Sequence, residues 1–135
     1  MIRTERLMEV MNRFLVGVDE QDAGRVRATL CEDVRNTMVV DGQRMDPPPG
    51  REALIAYLAD FWKAQADRRR HVLSNAIVES DSPREPVMSF YLTLYATQDK
   101  KVRTVATGRY VVRYRVDGDD ARIQNVELTL DGPFD

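Results

Sequence analysis

The sequence predicts an α+β protein in which three helices precede a mainly antiparallel sheet. Two observations predict it: apolar residues recur at helical spacing in the first half of the 135-residue chain and at alternate positions in the second half. Helices followed by a run of strands are typical of this class, in which the helices cover one face of the sheet. The length predicts one domain over residues 1–135, since a chain of this size can bury one core.

Three segments are predicted as helices. The first spans about residues 3–18, with Thr4 as a candidate N-cap and a stripe of apolar residues on one face. Residues 23–30 are predicted as a short second helix, Cys31 is interpreted as a buried thiol of that helix, and Glu32 and Asp33 end it. The third helix spans about residues 51–65 and follows three consecutive prolines that exclude regular structure. Its predicted inner face consists of Leu54, Ile55, Leu58, Phe61 and Trp62.

The strands are predicted from alternating apolar positions and from turn residues between them. The segment 102–116 alternates most clearly, with Val102, Thr104 and Tyr110 on the apolar face and arginines on the other. Such a sheet has one face in water, and helices must cover the other face. A strongly curved sheet beneath helices leaves a cone-shaped cavity suited to a small apolar ligand. The predicted strands are residues 34–40, 71–79, 87–97, 102–116 and 121–130.

The composition argues against several kinds of partner and site. The net charge is −2, whereas nucleic-acid-binding domains usually carry a basic excess, so no nucleic-acid partner is expected and Arg68–Arg69–Arg70 is interpreted as a solvated cluster. We also expect no membrane contact and a cytoplasmic location, because no apolar run reaches spanning length and no export signal is evident. With one cysteine and one histidine, no disulfide within the chain and no common zinc site is expected.

The candidate site begins where the first helix ends. The apolar run Phe14–Val18 gives way to Asp19, and a carboxylate beside a buried helix end is costly unless it has a partner. The single histidine, His71, is the candidate partner. Structural alternatives remain open at this point: Asp19 as a turn or capping residue, and His71 as a surface residue.

Several short segments carry a resemblance that covers nearly the whole chain. The sequence resembles the nuclear transport factor 2-like superfamily and, within it, the SnoaL-like group. This resemblance implies three N-terminal helices packed on a strongly curved, mainly antiparallel sheet that forms a cone-shaped pocket. It rests on residues 17–19, 30–34, 50–53, 71, 108–110 and 116–118.

Residues 15–19 are most similar to the branch that contains hexachlorocyclohexane dehydrochlorinase and scytalone dehydratase. That likeness implies a dyad of Asp19 and His71 on one pocket wall. The sequence departs from both enzymes elsewhere: it has Arg13 and Phe14 where the first carries a lysine, and it lacks the second histidine of the other. The dyad therefore implies a reaction class and no particular substrate.

An aspartate that fixes the imidazole tautomer makes the histidine a general base. We therefore expect a lyase, dehydratase or isomerase that needs no cofactor and no metal, and that removes a C–H proton from a small hydrophobic, cyclic molecule. The predicted catalytic residues are Asp19 and His71. The predicted substrate-binding residues are Tyr110, Tyr91, Asn75, Phe14 and Trp62; Tyr110 could equally be a core residue.

Two other functions remain open from the sequence. One is a non-catalytic module of the same fold for small-molecule binding or oligomerisation, in which Asp19 and His71 point apart or aromatic side chains fill the cavity. The other is a structural subunit similar to the small subunit of ring-hydroxylating dioxygenases. In every case we expect a homodimer or homotrimer, formed through exposed outer-face residues such as Val105 and Val111.

Overall fold

The structure, a computed structural model, describes residues 2–134, and within them it has three helices and six strands. The helices are α1 (Thr4–Asp19), α2 (Ala23–Thr29) and α3 (Arg51–Ala64). The strands are β1 (Leu30–Val40), β2 (Gln43–Met45), β3 (Arg68–Ser80), β4 (Val87–Gln98), β5 (Lys101–Asp117) and β6 (Asp120–Leu130).

The strands form one sheet in the order β2-β1-β6-β5-β4-β3. Neighbouring strands are antiparallel except for β1 and β6, which run parallel. Helix α1 contacts α2, β3 and β6, and α3 contacts β1, so the helices cover one face of the sheet. This arrangement confirms the predicted α+β class and the three helices on a mainly antiparallel curved sheet.

Helix α1 supplies the largest helical share of the core. Its apolar residues recur every three or four positions, so they form one stripe that the sheet and α2 bury. Gly17 allows the close approach of α2, because a Cβ at this position would lie 2.9 Å from Cγ2 of Val26. The buried stripe consists of Leu7, Val10, Met11, Phe14 and Leu15.

A bulge in β5 changes which side chains face inward. Leu94 pairs with Ala106 while Tyr95 pairs with Thr104, so Val105 is an extra residue without a partner in β4. Val105 is therefore buried, whereas Val102 is exposed. The prediction that Val102 faces inward and Val105 outward was wrong, since strict alternation along a strand does not hold across a bulge.

The boundary between α2 and β1 also differs from the prediction. Helix α2 ends at Thr29, whose hydroxyl donates to the carbonyl oxygen of Val26 at 2.7 Å. Leu30 already pairs with Ile123 of β6, so Cys31 lies in β1 instead of a helix. At the start of α1, Arg3 occupies the N-cap position and no side chain caps the helix, which corrects the expectation for Thr4.

Candidate functional site

Asp19 and His71 meet where the end of α1 contacts an edge of the sheet. Asp19 is the last residue of α1, and His71 lies in β3, the outermost strand beside β4. The backbone N–H of His71 donates to Oδ2 of Asp19 at 2.8 Å, and Oδ1 of Asp19 lies 2.5 Å from Nδ1 of the imidazole. The Asp19 residue is only 8% exposed. One buried carboxylate therefore holds both the backbone and the side chain of His71.

The contact at Nδ1 favours one tautomer of the imidazole. A carboxylate accepts hydrogen bonds, so Nδ1 of His71 carries the proton of the contact. In the tautomer that carries its proton on Nδ1, the lone pair lies on Nε2, and no side chain or backbone group of residues 2–134 hydrogen-bonds to that atom. Since His71 lines the central cavity, Nε2 is available to a ligand there.

The cavity has a volume of about 250 Å³ and lies between α1, α3 and the concave face of the sheet. Phe14 and Trp62 line it, together with Tyr57, Phe61 and Phe134. Apolar side chains of β4 and β6 form its floor, among them Leu92, Leu94, Leu128 and Leu130. The aromatic side chains surround the space instead of filling it.

Tyr110 projects from β5 into this cavity. The side chain is 5% exposed, and it lines the cavity together with Asp19 and His71. Burial, together with the negative charge of Asp19, raises the pKa of Tyr110 above its ordinary value. The phenol therefore stays protonated at neutral pH and offers an O–H donor to a ligand.

Two predicted ligand-binding residues lie outside the cavity, and the structure corrects them. Tyr91 is 54% exposed on the outer face of β4, because its side chain alternates with the inward Phe90 and Leu92. Asn75 is exposed at a bulge in β3, where its φ of 56° turns the chain away from regular alternation. Neither residue contacts the space beside His71.

Three polar residues of the cavity were not predicted: Asn36, Gln65 and Arg69. Asn36 lies in β1 between Val34 and Met38 on the inner face, and an asparagine at an alternating apolar position was a signal in the sequence. Arg69 lies two residues before His71 on the same face of β3. The prediction of a solvated cluster is therefore wrong for Arg69, which lines the cavity.

In the part of the chain that the structure describes, no group of three or more His, Cys, Asp or Glu side chains is placed to hold a metal ion. None of the helices within residues 2–134 has both the length and the apolar character needed to cross a membrane.

Sequence comparison places the chain within a described family. A family model for the SnoaL-like domain matches residues 4–127, which is most of the chain. No curated protein sequence matches it. The match therefore identifies the domain type without pointing to a particular activity.

Solved structures with the same fold share little sequence with this chain. A protein from Catenulispora acidiphila in complex with S-DNPA is 16% identical, with a TM-score of 0.80 over 94% of this chain and 92% of that one. The beta subunit of benzoate 1,2-dioxygenase from Burkholderia mallei is 16% identical, with a TM-score of 0.81 over 97% and 92%. An NTF2-like protein with a cystatin-like fold from Novosphingobium aromaticivorans is 19% identical, with a TM-score of 0.78 over 94% and 80%.

Proposed function

Since the chain belongs to the SnoaL-like domain family, we propose that it is a cofactor-independent lyase, dehydratase or isomerase. In this proposal His71 is the general base, Asp19 positions it, and the substrate is a small hydrophobic, cyclic molecule in the cavity. The NTF2-like fold serves many functions, so the proposal depends on the site and not on the fold.

The observation that carries the proposal is the double contact between Asp19 and His71 at the wall of an open cavity. If the protein were a non-catalytic module, we would expect these two side chains to point apart or aromatic side chains to fill the space. Instead, the carboxylate contacts Nδ1 of the ring, and His71 lines a cavity of about 250 Å³. Orientation of a histidine by a buried carboxylate is the arrangement that a general base needs.

The elimination can be written with this pair alone. Nε2 of His71 takes a proton from a carbon next to an electron-withdrawing group of the substrate, and the C–H electron pair forms a C=C bond as the C–O bond breaks. The imidazolium then returns its proton to the departing hydroxyl, which leaves as water. Asp19 stabilises the imidazolium while it exists, and neutral His71 is regenerated. Return of the proton to another carbon gives isomerisation instead.

Tyr110 and Asn36 support this chemistry as hydrogen-bond donors. Proton removal next to a carbonyl places negative charge on its oxygen, and donors aimed at that oxygen stabilise the charge. Tyr110 is suited to this role because its side chain lines the cavity and its hydroxyl stays protonated. Asn36 offers an amide N–H from β1, on another wall of the cavity.

A panel of cyclic β-hydroxyketones tests the proposal. The reaction is followed by absorbance of the conjugated enone and, in D₂O, by NMR detection of deuterium at the carbon next to the carbonyl. We expect His71→Ala and Asp19→Asn each to lower the rate by on the order of 10²- to 10⁴-fold. In Asp19→Asn the amide can donate to Nδ1, which moves the ring proton to Nε2 and removes the base.

Glu20→Gln is the matched control, because Glu20 follows Asp19 directly but pairs with Arg68 and Arg70 outside the cavity. This variant should keep the wild-type rate. Circular dichroism and thermal unfolding establish that each variant is folded. Wild-type rates in folded His71→Ala and Asp19→Asn would show that the pair is not the catalytic base.

A second proposal concerns assembly, and the outer face of the sheet favours it. Val72, Tyr91, Tyr95 and Val102 are exposed there, and the registers of β3, β4 and β5 place them on one surface. Monomeric proteins seldom expose such a row of large apolar side chains, so we propose a homodimer or homotrimer through this face. Val105 is excluded because it is buried. Light scattering should give twice or three times the chain mass, and Tyr91→Glu with Val102→Glu should reduce it to the monomer.

A further inference from the structure

The three consecutive arginines at the start of β3 lie in two different environments. Arg68 and Arg70 are exposed, and both contact Glu20, at 3.1 Å and 3.3 Å. Arg69 alternates with them, so it faces inward and lines the cavity with His71. The cluster predicted to be solvated thus contributes one guanidinium to the candidate site.

Asp67 fixes the guanidinium of Arg69 through one nitrogen only. Nε of Arg69 donates to Oδ1 of Asp67 at 3.0 Å, and Nη2 of Arg103 donates to Oδ2 at 3.1 Å. The Asp67 side chain is only 8% exposed. Within residues 2–134 no acceptor contacts the two terminal nitrogens of Arg69. Those nitrogens form the parallel pair of donors that binds a carboxylate in bidentate fashion.

The charge immediately around Arg69 favours an anion, while Asp19 adds one negative charge elsewhere in the cavity lining. Asp67 is shared by Arg69 and Arg103, so this group carries one positive charge in excess. Burial opposes ionisation of Asp67, but the hydrogen bonds and charges of Arg69 and Arg103 outweigh it and lower the pKa of the carboxyl. Asp67 therefore stays ionised and holds Arg69 in place. The Arg69 side chain is 31% exposed, so an anion bound there keeps part of its hydration.

Arg69 and His71 are two residues apart on one face of a strand, so their Cα atoms are separated by about 6–7 Å. We propose that Arg69 binds a carboxylate of the substrate, and that the substrate is a hydrophobic ring acid whose carboxylate lies toward Arg69 while the reacting carbon lies beside His71. This assignment rests on the proposal that the cavity holds the substrate. It narrows the substrate from a neutral apolar molecule to an organic anion.

Binding of a matched pair of probes, 2-naphthoate and 2-naphthamide, tests the assignment by isothermal titration calorimetry at pH 7. The two have the same ring and nearly the same shape, and only the first carries a charge. We expect the wild-type protein to bind the carboxylate at least about tenfold more tightly than the amide. Arg69→Gln should reduce that ratio to within about twofold, since Gln keeps a polar side chain without the charge or the fork.

Two further variants test the position of the charge and its geometry. Arg103→Gln removes the other arginine that contacts Asp67, one that does not line the cavity, and should keep the wild-type preference. Arg69→Lys keeps the charge without the fork, so its preference should fall between the wild type and Arg69→Gln. Thermal unfolding checks that each variant is folded, and Arg69→Lys still tests the assignment if Arg69→Gln does not fold.

The outcomes separate this inference from the proposed catalysis. His71→Ala should retain the preference for naphthoate, since binding by Arg69 does not need the base. A wild-type protein that binds naphthoate no better than naphthamide would overturn the inference, as would an unchanged preference in Arg69→Gln or an equal loss in Arg103→Gln. If the wild-type protein shows no preference for naphthoate but turnover still requires His71, only the anion site is rejected. If the preference depends on Arg69 but turnover does not require His71, only the proposed catalysis is rejected.

Discussion

Two tyrosines of β5 show how differently the two halves of the concave face are built. Tyr114 and Tyr110 both point inward from the same strand, four residues apart. Tyr114 lies where the core is closed, and it is fully buried with a hydroxyl that has no partner within the described chain. Tyr110 lies where α3 stands away from the sheet, and it faces the cavity.

The difference follows from which helix covers each half. Over the closed half, Met11 of α1 and Val26 of α2 are fully buried against the sheet. Over the open half, α3 buries only Leu54 and Ile55, while Phe61 stays more than half exposed. The sheet is therefore part of a packed core at one end and forms the floor of a cavity at the other. Stability and ligand binding thus depend on different residues.

The largest expected effect on stability comes from truncation in the closed half. Met11→Ala should lower the free energy of unfolding by about 2–5 kcal/mol, because it leaves a void in a packed core. Phe61→Ala, in the open half, should cost less than about 1 kcal/mol, since it removes mainly an exposed edge-to-face contact with Tyr57. Urea unfolding of both variants measures the difference. Equal losses would mean that α3 packs as tightly as α1.

The two tyrosines give a matched pair with opposite expectations. Tyr114→Phe should raise the free energy of unfolding by on the order of 1–2 kcal/mol, because it removes a buried hydroxyl without a partner. Tyr110→Phe should change it by less than about 0.5 kcal/mol and instead weaken ligand binding, as its hydroxyl faces the cavity. Chemical unfolding checks both values. A destabilised Tyr114→Phe would contradict the closed character of that half.

The smallest expected effect concerns pH and the two arginines that contact Asp67. The pKa of Asp67 is lowered in the folded protein, so its carboxylate stabilises the fold above its unfolded pKa of about 4, and this contribution disappears as the pH falls through the folded pKa. The difference in unfolding free energy between the wild type and Asp67→Asn should therefore shrink between pH 6 and pH 3.

Urea unfolding at several pH values measures that difference. Asp60→Asn, at an exposed position of α3, is the control and should show a much smaller change with pH. A constant difference for Asp67→Asn across the same interval would mean that the two arginines do not stabilise this carboxylate.

The sequence predicted the elements well where the apolar period was regular. The stripe from Leu7 to Leu15 and the alternation from Ala106 to Tyr114 are local patterns, and the structure follows them. Errors arose where pairing between distant strands determined the outcome. The bulge at Val105 depends on the register of β4, and the early start of β1 depends on Leu30 pairing with Ile123, 93 positions later in the chain.

The candidate site shows the same limit. Asp19, His71, Tyr110, Phe14 and Trp62 were predicted and all line one cavity, although their roles remain proposals. Arg69 was missed because a run of three arginines carries no sign of which one faces inward. That orientation is set by the alternation of β3, which begins three residues earlier than predicted and places Arg69 on the side of His71.

The contact between Asp19 and the backbone N–H of His71 also affects pairing at the β3 edge of the sheet. Strand β3 is the last strand of the sheet, so its outward N–H groups would be open to pairing with a strand of another molecule. Asp19 already occupies the N–H of His71, and α1 lies against this part of the strand. The same carboxylate that contacts the imidazole therefore blocks strand pairing at this position of the β3 edge.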